Sequence, residues 1–159
     1  MTNEIIFKYN CSYRGRWGEV ETTNVTVLAD FSDMTKWPYQ IKVEERVEES
    51  LDEEDDSESV TFHKISKNLF DNIKSTIARH TELTALPEEI DYVMVMDGGS
   101  EYFEFICPAF KKVIYGSSLL SIGYHELEEN PNSQKHCAVL RRAYEEIKKL
   151  VDAEQPDIL

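Results

Sequence analysis

Asp91-Tyr-Val-Met-Val-Met-Asp97-Gly-Gly-Ser100-Glu-Tyr-Phe-Glu-Phe-Ile106, followed by Val113-Ile-Tyr115, decides the fold. Two β-rich runs flank Asp97-Gly-Gly-Ser100. Glycine supplies the positive φ of a tight turn at no steric cost, so the stretch predicts a central hairpin. The same turn lacks the strand–loop–helix setting and the Lys-Ser/Thr of a phosphate loop.

Working outward, both flanks carry more strands. Ile5, Phe7, Tyr9 and Cys11 alternate on one face, and residues 20–29 return after the turn Arg14-Gly-Arg-Trp-Gly18, which predicts an N-terminal antiparallel hairpin. A third strand is expected from about Pro38, with Ile41, Val43 and Val47 inward. Alternation resumes over 59–63. Cys107-Pro108 is expected to break the second central strand, leaving one or two further strands over 111–115 and 119–124.

Two helices complete the pattern. Ser66 reads as an N-cap, with Ile65 and Phe70 as a hydrophobic staple and Ile73 and Ile77 following at helical spacing. Asn130-Pro131 starts a second helix, expected over about 131–153. Cys137, Leu140, Tyr144, Ile147 and Val151 make its apolar stripe, and Pro156 stops it. The expected class is α+β: an antiparallel sheet of hairpins, about six to seven strands, with two amphipathic helices packed on one face. A chain of 159 residues with 41% hydrophobic content fits a single domain, 1–159.

Charge is the functional signal. The chain has 17 basic and 31 acidic side chains, a formal charge of −14. That disfavours direct nucleic-acid binding and adsorption to an anionic membrane, and favours a basic partner. The charge is concentrated. Residues 44–58 hold ten acids against one base, Arg46. Like charges repel and little apolar surface is on offer there, so an acidic loop is expected, inserted between strands as a hairpin tip. The partner-binding residues expected from it are Glu48, Glu49, Asp52, Glu53, Glu54, Asp55 and Asp56. Arg16 and Trp17, types enriched at interface hot spots, are weaker anchors. The bland reading of such a run is a solvated tip that aids solubility.

Other chemistry finds less support. A calcium loop begun at Asp52 has Ser57 where glycine belongs and His63 where glutamate belongs. His63, His80, His125 and His136 are scattered without metal-ligand spacing, so no metal and no cofactor is expected. Cys11, Cys107 and Cys137 are an odd number without close spacing, which reads as free thiols in a reducing compartment. No basic leader followed by an apolar run opens the chain, and no apolar stretch approaches the ~20 residues a membrane helix needs. Cytoplasm is the expected location.

Met94-Val-Met-Asp97-Gly-Gly, Tyr102-Phe-Glu-Phe105, Val113-Ile-Tyr115 and the closing helix through Lys149 resemble small bacterial proteins that neutralise toxins, the immunity proteins of polymorphic and contact-dependent toxin systems. The resemblance covers about the C-terminal third and transfers no functional residue. It implies binding without catalysis, in the cytoplasm, against a toxin or nuclease domain that is often basic. The first expectation is therefore a non-enzymatic acidic binding protein of immunity or inhibitor type. One rival is a phage or plasmid anti-defence protein that mimics DNA. Another is an enzyme with an unrecognised site, such as Cys107 beside His125.

Overall fold

The computed structural model describes residues 3–15, 18–49, 56–90, 99–117, 119–120 and 131–159, with side chains of the last stretch from 134 onward. The α+β class holds: among the described residues a seven-stranded, mostly antiparallel sheet carries two helices. In chain order the elements are β1 (Asn3–Arg14), β2 (Val20–Asp30), β3 (Tyr39–Glu48), β4 (Ser57–Lys64), α1 (Lys67–Arg79), a 3-10 turn (Thr81–Ala85), β5 (Glu89–Ile90), β6 (Ser100–Cys107), β7 (Phe110–Ser117) and α2 (Pro131–Glu154). The strand order is β4-β3-β2-β1-β6-β7-β5, and among the described residues only the β5–β7 pair is parallel.

The expected N-terminal hairpin forms, with Tyr9 opposite Val25 and Phe7 opposite Val27. A bulge between Ile5 and Phe7 changes its inner face. The extra residue breaks the two-residue alternation, so Ile6 and Phe7 are both buried while Ile5 is only half-buried. α1 starts as its sequence says. The Leu69 amide donates to Ser66 Oγ at 3.0 Å, and Ile65 and Phe70 are both buried. Ser66→Ala should cost about 1 kcal/mol in a urea melt, the usual value of such a cap. An unchanged midpoint would show that the capping bond contributes nothing net.

The central hairpin is corrected. β6 has both edges occupied, one by β1 and the other by β7. The hairpin described for it closes at Pro108-Ala109, with Cys107 opposite Phe110. Proline's fixed φ suits a turn, and the amide it lacks is not missed there. On the other edge β1 supplies aromatic partners: the Tyr9 and Phe103 rings lie 5.0 Å apart and Phe7 and Phe105 5.5 Å. Residues 91–98 lie outside the described residues, as do 121–124 of the last expected strand.

Paired residues share a face of the sheet, so register sorts the two sides. Phe7, Val25, Val27, Ile41, Phe103, Phe105 and Ile114 lie on the helix side and join Leu69, Ile73, Ile77, Leu140, Ile147 and Val151 in one core. Gly116 is there for space. A Cβ at that position would lie 2.6 Å from the Ile90 carbonyl oxygen and 2.8 Å from Leu119 Cδ2. The C-terminus folds back, with Lys148 Nζ donating to the Leu159 carbonyl at 2.8 Å.

Candidate binding surface

The second face of the sheet is polar, and register lays it out in rows. One row runs Val60, Glu44, Asn24, Asn10, Tyr102, Tyr115. The next runs Phe62, Lys42, Thr26, Lys8, Glu104, Val113. Asn10 donates to Asn24, Tyr102 donates to Glu104, and Lys8 pairs weakly with Glu104 at 4.0 Å. These groups line a shallow depression of about 530 Å³. Its polar groups largely satisfy one another, which leaves few to orient a small ligand.

The acidic segment lies at one end of this face. Both of its ends are strand. Glu44, Glu45 and Glu48 are on β3, and Glu58 is on β4 opposite Arg46. Alternating hydrogen bonds of the β3–β4 ladder hold these carboxylates despite their repulsion. Arg46 pairs with Glu48 at 3.0 Å, and Lys42 with Glu44 at 3.3 Å. The Glu49 amide donates to Asp56 Oδ1 at 2.7 Å and draws the two ends of the tip together. Of the sequence-predicted site, Glu48, Glu49 and Asp56 are thus brought together. Asp52, Glu53, Glu54 and Asp55 lie outside the described residues, as do Arg16 and Trp17. The flanks of Arg16 and Trp17 reach the same end of the sheet, because Arg14 is opposite Val20 and Val20 is opposite Glu48. Gly18, at φ 87°, shapes that turn.

A second polar cluster went unforeseen. Glu101 is buried on the helix side, accepting from Tyr9 Oη and from the Leu120 amide, each at 3.2 Å. Burial pushes its carboxyl up, and those hydrogen bonds pull against it. Burial likewise raises Tyr9 and Cys11, and pushes Tyr144 up to about 12. A thiol held high is mostly protonated at neutral pH and a poor nucleophile. The network therefore reads as a satisfied polar core. Its sequence signal was parity: Glu101 shares a face with Phe103 and Phe105.

Cys107 is buried at the opposite end of the sheet from the acids, beside the Pro108-Ala109 turn. His125, its expected companion, lies outside the described residues. Among the described residues no three His, Cys, Asp or Glu side chains stand close enough to hold a metal ion. No helix among them is long and apolar enough to cross a membrane. No protein-family model matches this chain, and no curated protein matches it significantly in sequence.

Proposed function

We propose that this chain is a non-enzymatic acidic binding protein of immunity or inhibitor type, acting in the cytoplasm on a basic protein partner such as a toxin or nuclease domain. The observation that carries the reading is the β3–β4 hairpin, which holds Glu44, Glu48 and Glu58 on the open face of paired strands, with Glu49 and Asp56 at its tip. Carboxylates fixed on strands lose less freedom on binding than those of a free chain. Their field steers a cationic partner, and the contact occludes the groove that the partner would use for phosphate. Asp52, Glu53, Glu54 and Asp55, with Arg16 and Trp17 as anchors, complete the proposed surface.

The test begins with the partner that co-purifies with the tagged chain from its source cells. Exposed charges are screened within ~10 Å at 0.1 M salt, so affinity should fall at least about tenfold between ~50 mM and ~300 mM NaCl. Glutamine at positions 44, 48, 49, 53, 54 and 58 with asparagine at 52, 55 and 56 should abolish most of that dependence. Binding indifferent to salt, or full neutralisation by a chain with 48–56 replaced by a neutral linker, would overturn the reading.

A further inference from the structure

β4 stands at one end of the sheet order, and among the described residues its outer side is free. Among the described residues it pairs only with β3, and every residue except His63 is exposed. Gln155 Nε2 caps the carbonyl of Lys64 at 3.1 Å, where the free edge ends. Natural edges are usually blunted by short length, proline or charge, because an open ladder recruits another strand. This edge runs eight residues and exposes Val60 and Phe62 at 47% and 56%. Lys42 sits 5.8 Å from the Phe62 ring, but from the β3 side, so it leaves the outer edge uncovered.

The order of side chains says what fits there. Ser57-Glu-Ser-Val-Thr-Phe-His-Lys64 is complementary to itself when read antiparallel about Thr61. Glu58 then lies opposite Lys64, Val60 opposite Phe62, and Ser59 opposite His63. Opposite residues in a continuous sheet must share a face, which requires the twofold to pass through a residue. Centring on Val60 would put Glu58 against Phe62, and centring on Phe62 would put Val60 against Lys64. Only the Thr61 centre matches charge with charge and apolar with apolar. We infer that β4 pairs antiparallel with β4 of a second copy of this chain about a twofold axis through Thr61, joining two seven-stranded sheets into one.

Charge complementarity favours a second copy over a foreign strand. The chain carries −14 overall, yet β4 itself is balanced, with one Glu and one Lys at mirrored ends. The antiparallel arrangement also sends the two acidic tips to opposite ends of the joined sheet, so each stays open to a partner. Dimerisation and partner binding are separate properties of the chain, and either can fail without the other.

The experiment uses the whole chain. Sedimentation from micromolar to millimolar concentration should show a monomer–dimer equilibrium. Lys64→Glu places like charges opposite each other at two sites and should weaken the dimer about tenfold. Register is read by single cysteines at 59, 61 and 63. Facing Cα atoms in an antiparallel pair are ~4.5–5.5 Å apart, inside disulfide range, so Thr61→Cys should cross-link rapidly on oxidation. Ser59→Cys and His63→Cys should not, because each lies about four residues, or ~13 Å, from its own copy. Wild type controls for Cys11, Cys107 and Cys137, and circular dichroism confirms that each variant folds. A monomer at every concentration overturns the proposal and leaves the edge to a foreign strand. Equal cross-linking at all three positions overturns it too, as random collision.

Discussion

Phe103→Ala lowers the unfolding free energy by about 3–5 kcal/mol, the usual cost of emptying a large aromatic site that cannot collapse. Phe103 is fully buried on β6, whose neighbours β1 and β7 prevent it from shifting to fill the space. Its ring lies 5.0 Å from Tyr9, stacks at 6.1 Å on Phe105, and meets Tyr144 of α2 edge-on at 6.0 Å. The substitution therefore removes contacts to β1, to its own strand and to the helix layer together. A domain of this kind has about 5–15 kcal/mol in hand, so the loss is a large share, and the melting temperature should drop by roughly 10 °C or more. Phe62→Ala is the matched control. Phe62 is exposed on the edge strand, so the same change there should move stability by under about 0.5 kcal/mol. Equal losses at the two positions would mean that the open face contributes to the fold as much as the helix side does.

What the sequence made legible divides along the range of the interaction. The β1–β2 hairpin, the Ser66 cap and the helical stripes are local, set by alternation, capping chemistry and 3.6-residue spacing. The partner of β6 is not local. Phe105 pairs with Phe7 across most of the chain, and no periodicity within either strand announces it. Gly98 and Gly99 signal a turn because glycine permits one, but that local signal says nothing of the aromatic complementarity that pairs β6 with β1. The acidic hairpin was legible as charge and misjudged in extent. Glu44, Glu45, Glu48 and Glu58 sit on ladder positions because the hydrogen bonds and the Val43 and Ile41 side chains of β3 outweigh their repulsion. The edge status of β4 is a property of topology alone. Its residues alternate like those of any interior strand.

His80 was one of four scattered histidines in the sequence, and its partners explain why it stood out so little. Glu82 is two residues away, but Glu146 is on α2, sixty-six residues on. The ring is buried at the C-terminal end of α1, with Nδ1 2.8 Å from Glu82 Oε1 and Nε2 2.9 Å from Glu146 Oε2. An ionised carboxylate can only accept, so both contacts are hydrogen bonds when the ring is protonated and both nitrogens donate. Burial alone would push its pKa down, but the hydrogen bonds to Glu146 and Glu82 outweigh it, and the folded value lies above the ordinary 6.5. The stabilisation is thus fully present below pH 6.5 and is lost as pH rises through the raised folded value. Glu82 works in the opposite direction: its bond to His80 holds its carboxyl below the ordinary 4.5, so that contribution fades as the solution is acidified through the lowered value. The charge of Arg142 adds a little to the same lowering. The tie between α1 and α2 should therefore be strongest in the mildly acidic range. Urea unfolding followed from pH 6 to pH 9 should show a loss of order 1 kcal/mol, kept modest because both carboxylates remain partly in water. His80→Leu should cost about 2 kcal/mol at pH 6, where two charge-assisted bonds disappear, and less at pH 9. If the variant loses stability with rising pH as steeply as the parent chain, His80 is not the titrating group and the two helices are held by apolar packing alone.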